Sequence, residues 1–417
     1  MKIAWGGMIL VVFIIMSMKI LTVYEGKHRI GISDSADWAE DIVLPAAGFS
    51  PDKQLMVVTW GNYLPQEVFD LFTEKYGTEI VATEVTSNEE MLELLEKFPG
   101  KYDVLTPSDY MVTKMINEGL LHRLDHDKFS NIGRLDEDVR RAEYDRGLRF
   151  CVPLFRTSLG IGFNIKYVTG IPRDLEFIVE QIQNDYLAYR TGIVKEMRFA
   201  MGVALMYLGY SPNTINPAEI IEARDVLIRM VEKYGLVLMG ELNDDEALAS
   251  NDVLLSISWN GTAAIALHEN PEIRFLLPEG EVLVAIDSAV VSAKSKRIST
   301  AEFFINYLLI PEVAARMSNY NSNPNCVTAS MPFVKRIIRN GPGFLFPIEE
   351  NRRYLMDLGE KNRLYEDAWA KVLETKTPDT LIKLPLPRGG LFQGGTQSSN
   401  FVKQSRDDLK THKSDSQ

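Results

Sequence analysis

Cysteine is scarce: Cys151 and Cys326 are the only two in 417 residues, which excludes a disulfide framework, and neither has metal-site spacing. Either one bridge joins them in an oxidising compartment or both are buried thiols, and the sequence leaves both readings open. Basic residues are in deficit, 45 Lys and Arg against 57 Asp and Glu, for a net charge of −12. With no basic stripe or base-stacking motif, that balance argues against nucleic acid as a partner. No phosphate loop, nucleophile elbow or zincin motif is present. Gly160-Ile161-Gly162 is a lone fragment inside an apolar strand, a packing or hinge feature rather than a nucleotide site. His122 and His126 stand four apart among aspartates, but they follow Glu118-Gly119 in what reads as a surface loop. No enzyme and no cofactor are expected, and no internal repeat is visible.

What the chain does contain is ample apolar material, 46% against 24% charged, and enough length for two lobes plus appendages. Lys2 precedes an apolar run from Ile3 to Met18, broken by Lys19 and resumed through Tyr24. Residues 1–24 read as a signal anchor or uncleaved signal peptide, with a cleaved signal as the alternative, since no small-x-small cleavage site follows. Residues 25–53 read as a linker. From Thr375 the composition turns to Pro, Gly, Ser, Gln and Lys, so 375–417 is expected to be a disordered tail.

From Gln54 strand and helix patterns alternate, the signature of a parallel α/β sheet. Strands are expected at Leu55–Thr59, Glu79–Glu84 and Tyr102–Thr106, with helices near Pro65–Tyr76 and Met91–Phe98 between them. Ser87 and Glu90 form a capping box, and Ser108 is a natural N-cap for the helix through Glu118. Phe150–Asn164 reads as a strand leaving one lobe for another, and Glu281–Ala293, through Asp287, as the return crossing. Further helices are expected near Met197–Leu208, Ala218–Tyr234, Thr300–Leu309, Pro311–Asn319, Met331–Arg339, Glu349–Leu358 and Tyr365–Leu373. Ligands of α/β sheets bind at strand carboxyl ends. Two such ends deliver Trp60, Tyr63, Ser108 and Tyr110 to one edge, which looks like half of a binding cleft.

Five elements in order, Trp60 with Tyr63, Pro107-Ser108 with Tyr110, Leu208–Ser211, Trp259-Asn260-Gly261 and Asp287-Ser288, resemble the extracytoplasmic polyamine-binding proteins of bacterial ABC transporters. The resemblance runs from about Leu55 to Leu373. It implies an α/β, two-lobed type II periplasmic-binding-protein fold that closes on its ligand by a hinge. Lobe 1 would take 54–153 and 286–330, and lobe 2 would take 154–285 and 331–374. It also implies a place in the periplasm or on the outer face of the cytoplasmic membrane, beside a permease and an ATPase, with the N-terminal segment as membrane anchor.

The implied ligand has a chemistry that suits these residues. A polyamine alternates ammonium groups with methylenes, so its site needs carboxylates at intervals with aromatic faces between them. Trp60, Tyr63, Tyr110 and Trp259 would supply walls, Ser108 a hydroxyl, and Asp287 and Glu196 the charges. The chain departs from the family pattern too. Spermidine and putrescine binders usually read W-T-E-Y where Gly61-Asn62 stand here. Phe199 replaces a second acidic residue, Ala285 an aromatic, and Leu355 falls near a glutamine position, while Tyr320 sits in a segment with a short gap. About two negative groups remain on this count, which fits a diamine such as putrescine better than a triamine. The alternative is a membrane-tethered receptor of the same fold for another small cationic or amino-acid-like ligand.

Overall fold

Each early parallel pair of strands is bridged by a helix, as parallel pairing requires. The computed structural model describes residues 50–183, 187–240, 244–377 and Leu386. The expected signal anchor at 1–24, nearly all of the 25–53 linker and most of the 375–417 tail lie outside these residues. Among the described residues no helix is long and apolar enough to cross a membrane.

The chain begins with β1 (Gln54–Trp60), a helix at Gln66–Tyr76, β2 (Glu79–Val85), a helix at Asn88–Lys97, β3 (Val104–Leu105) and a helix at Asp109–Asn117. β1 pairs in parallel with β2 on one side and β3 on the other. Pro65 opens the 66–76 helix, and Gly77 closes it in the left-handed region at φ 72°. Phe72 on that helix packs edge-on against Phe304 at 5.0 Å, within the 298–308 helix, and is fully buried.

The strand that organises the sheet is β4 (Cys151–Asn164), fourteen residues with all but one buried. Its first half, Cys151–Ser158, pairs antiparallel with β9 (Val282–Val291). Its second half pairs with β7 (Leu255–Trp259) and β8 (Ile273–Leu276). β5 (Thr191–Val194) extends the sheet from β7 to β6 (Val237–Met239). The strand order is therefore β2-β1-β3-β9-β4-β7-β5-β6. The change of partner along β4 is where the two half-sheets join, and β9, buried at every position, holds Asp287 and Ser288 in its middle.

Gly160 and Gly162 serve packing. A Cβ on Gly160 would fall 2.3 Å from Cζ of Phe275 and 2.7 Å from the Leu276 carbonyl oxygen. Gly160→Ala is therefore expected to cost about 1–3 kcal/mol through overpacking, seen as a lower denaturant midpoint with an unchanged slope.

Several local expectations are corrected. Ser87 Oγ does accept the Glu90 N–H at 3.1 Å, but the Glu90 carboxylate reaches past Ser87 to the Thr86 N–H at 2.9 Å. The helix expected at Glu349–Leu358 is a short 3₁₀ turn followed by β10 (Arg352–Tyr354), paired in parallel with Val282–Val284. A free ladder on β9 outcompetes the local helical pattern. The helix near Met331–Arg339 shrinks to Arg336–Arg339. The Asn319 side chain takes the N–H of Lys335, the N-cap residue of the short helix, at 2.7 Å. Cys151 and Cys326 are both free, buried thiols. Burial pushes the Cys326 thiol up to about 12, far from the reactive range.

The two histidines are structural ties. His126 Nε2 bonds the Leu148 carbonyl at 2.7 Å, and His122 lies 3.6 Å from Glu302, a buried carboxylate that Lys128 also holds at 2.7 Å. Among the described residues no cluster of His, Cys, Asp or Glu could hold a metal.

Candidate functional site

The carboxyl ends of β1 and β7 and the middle of β9 open on one cavity of about 160 Å³. Of the seven residues expected in a site, Trp60, Tyr63, Ser108, Glu196, Trp259 and Asp287 line it. Tyr110 does not: it is 3% exposed, and its hydroxyl donates to Glu89 at 3.2 Å, away from the cavity. Ser108 is extended and Tyr110 lies within the first turn of the following helix, so their side chains diverge instead of sharing a face.

Asp287 is the best-organised group. Tyr63 Oη donates to Oδ2 at 2.7 Å and Ser108 Oγ to Oδ1 at 2.7 Å, so each carboxylate oxygen has one neutral donor and room for more. This corrects the reading of Ser108 as an N-cap. It occupies the cap position with no side-chain cap bond, because its hydroxyl is committed to Asp287. Asn88 steadies it in turn, taking the Ser108 N–H at 3.0 Å. The Tyr63 ring is fixed edge-on against Phe155 at 4.8 Å. The two indoles are anchored by their N–H groups, Trp60 to the Thr106 carbonyl at 2.8 Å and Trp259 to Glu196 Oε1 at 2.7 Å.

Burial sets the electrostatics. It raises the Asp287 carboxyl to about 6 despite the opposing hydrogen bonds from Tyr63 and Ser108. It raises Glu196 to about 8, with the Trp259 hydrogen bond pulling the other way and Glu89, Asp287 and Asp244 adding repulsion. The residues named from sequence leave out two further carboxylates. Asp244 and Asp245, which open the short helix Asp244–Ala249 after β6, also line the cavity, and burial raises Asp245 as well. Among the described residues the cavity therefore has four carboxylates where the sequence count gave about two. No Lys, Arg or His is among its described lining residues.

The departures from the family pattern are accounted for in space. Asn62 sits in the left-handed region at φ 53°, and its side chain accepts the Tyr320 hydroxyl at 3.4 Å. Phe199 is fully buried behind Trp259, edge-on at 4.7 Å. Ala285 and Leu355 are core residues at 0% and 4% exposure. Asn321 and Asn323, near Tyr320, line the cavity; their cue in the sequence is an asparagine-rich run that equally suits a turn.

A pH dependence follows. Both raised carboxyls hold protons in the folded protein at pH values where the unfolded chain has released them. Folding of the empty protein should therefore lose stability as pH rises from about 4 to about 8, a loss that ends once both groups have ionised in the folded state. Melting temperatures across that range should fall, and a bound dication should offset the fall by favouring the ionised forms. Glu196→Gln should flatten the part of the fall nearest pH 8. An unchanged slope in that variant would contradict the assignment.

Comparison with known proteins gives a consistent result. Residues 67–335 match the family described as bacterial extracellular solute-binding protein. The chain is similar to the spermidine/putrescine-binding periplasmic protein 1 of Haemophilus influenzae, 26% identical over 324 residues that span 76% of this chain and 88% of that one. It is also similar to a putrescine/agmatine-binding protein of Pseudomonas aeruginosa, 27% identical over 314 residues, covering 70% and 85%. Among solved structures, a putative spermidine/putrescine ABC transporter protein from Listeria monocytogenes superposes with a TM-score of 0.71 at 25% identity, covering 77% of this chain and 99% of that one.

Proposed function

This chain belongs to the bacterial extracellular solute-binding protein family, and we propose that within it the chain captures a short polyamine, a diamine of the putrescine type, and hands it to a membrane permease. The family is one of binding proteins, generally not enzymes, and no catalytic step is assigned. The observation that carries the ligand class is the composition of the cavity: four carboxylates and two indoles, with no cationic side chain among the described lining residues. Buried carboxylates this close raise one another's proton affinity, and an ammonium removes the penalty by pairing with them. A ligand with a carboxylate of its own would find no cationic partner among the described lining residues, which disfavours the amino-acid-like alternative.

With four carboxylates the charge count no longer favours a diamine over a triamine, but two features of the lining favour a short ligand. Tyr110 is withdrawn to Glu89, and Phe199 fills the space behind Trp259, so the aromatic lining is reduced to the two indoles and Tyr63. In this reading the lobes are 54–153 with 286–330 and 154–285 with 331–374. Bending where β4 changes partners would let them close on the ligand. Its relatives are periplasmic by name, and the same compartment, with a permease and an ATPase as partners, is proposed for this chain.

Thermal melting of the full chain with a ligand panel tests the class. Putrescine and agmatine are expected to raise the melting temperature, spermidine less so, and γ-aminobutyrate not at all. A rise with γ-aminobutyrate and none with any amine would reverse the assignment.

A further inference from the structure

A buried polar atom with no hydrogen-bond partner is rare in folded proteins, and each one calls for an explanation. Asn323 carries one. It lines the cavity, is 7% exposed, and its side-chain Oδ1 meets no donor. Its neighbours fix its place. Asn321 Oδ1 accepts the Asn323 N–H at 2.9 Å, and Asn321 Nδ2 donates to the Tyr63 carbonyl at 3.0 Å. The segment is thereby tied to the tyrosine whose hydroxyl holds Asp287. On its other side the Asn323 amide lies flat on Gly261, where a Cβ would come 2.5 Å from Oδ1 and 2.8 Å from Nδ2. Gly261, the last residue of the Trp-Asn-Gly motif, is thus the residue that admits this amide to the cavity wall.

Resting on the amine reading above, we propose that Asn323 and Asp287 form a head pocket for a terminal primary ammonium, which donates one N–H to Asn323 Oδ1 and another to the Asp287 carboxylate. A primary ammonium has three donors and needs several acceptors. Asp287 supplies charge and lone pairs beyond those that Tyr63 and Ser108 use, and Asn323 supplies the neutral acceptor. A quaternary ammonium of equal charge has no N–H and would leave Asn323 unsatisfied. A site built to receive hydrogen bonds rejects the analogue that lacks them more strongly than size alone would. The pocket therefore selects for the unmethylated amine end, a discrimination that carboxylates and indoles by themselves do not provide.

Calorimetry on the full chain with putrescine and with its hexamethylated bis-quaternary analogue tests this. The wild-type chain should prefer putrescine by at least about tenfold. Asn323→Ala should weaken putrescine by about tenfold and leave the quaternary analogue unchanged, so that the preference collapses. Asn323→Asp keeps an acceptor in place and should keep the preference. Gly261→Ala, which displaces the amide, should behave like Asn323→Ala, with melting temperatures confirming that each variant is folded. Unchanged putrescine affinity in a folded Asn323→Ala would overturn the head pocket while leaving the amine reading standing. An equal loss of both ligands would assign Asn323 a structural role and overturn it as well. A wild-type chain that binds neither compound would remove the amine reading, and the head pocket with it.

Discussion

Asp287→Asn is expected to weaken putrescine binding by about two orders of magnitude while leaving the empty protein folded. The substitution keeps shape and removes charge. An ammonium opposite it loses a charge-assisted partner at a buried carboxylate, and truncating one partner of a buried pair typically costs about 2–5 kcal/mol. A central value of about 3 kcal/mol corresponds to roughly a hundredfold in affinity. The amide accepts only at its oxygen, so one of the two hydroxyls now 2.7 Å from the carboxylate loses its acceptor and keeps a contact only by turning to accept an amide N–H. The stability readout should differ in sign. The carboxyl of Asp287 sits at about 6, so its ionisation destabilises the empty fold above that pH. At pH 8 the variant regains this contribution, which offsets the lost hydrogen bond, so a loss of affinity without a matching loss of melting temperature is the expected signature. A parallel loss of both would mean that Asp287 is a structural residue.

Trp259→Ala should be nearly as damaging to binding, and more damaging to the fold. The indole covers part of the cavity wall, holds Glu196 by a 2.7 Å hydrogen bond and closes over Phe199. A cation over an indole face contributes about 0.5–2 kcal/mol, and a hydrogen bond to a charged group about 1.5–3 kcal/mol. Together they predict a loss of about 3 kcal/mol in binding. Trp259→Phe separates the parts. It keeps an aromatic face but has no N–H for Glu196, so the Glu196 carboxyl should rise above about 8. Affinity measured against pH should then reach its plateau at higher pH than in the wild-type chain. Superimposable profiles would show that the Trp259–Glu196 bond does not govern the site.

Much of this site was legible in the sequence because it is built from backbone-determined positions. Trp60 ends a strand that enters a turn, Trp259 ends one that enters a helix, and Asp287 is a charged residue in a mostly apolar crossing strand; the resemblance to polyamine-binding proteins then singles out all three. Tyr110 was misplaced because the helical turn begins at Asp109, and a two-residue step across that boundary no longer keeps side chains on one face. Ser108 was read as a cap because local propensity favours it, yet a hydroxyl bonded to a buried carboxylate is worth more than a cap of about 1 kcal/mol. Asp244 and Asp245 stayed invisible for a related reason. Acidic residues in a helix's first turn are explained by the helix dipole alone, and only the placement of β6 brings them to the cavity. The helix expected at 349–358 gives way because its fate depends on an open edge of β9 seventy positions away, beyond any local window.

The central claim is that the four-carboxylate cavity holds a short diammonium ligand. Isothermal calorimetry of the full chain with putrescine at pH 7, repeated in two buffers of different ionisation enthalpy, tests it most directly. One-to-one binding with net proton release is the predicted result, because Glu196, protonated at this pH in the empty cavity, must ionise to meet the ammonium. No heat with putrescine, spermidine or agmatine at millimolar concentration, or binding with no proton exchange, would contradict the account.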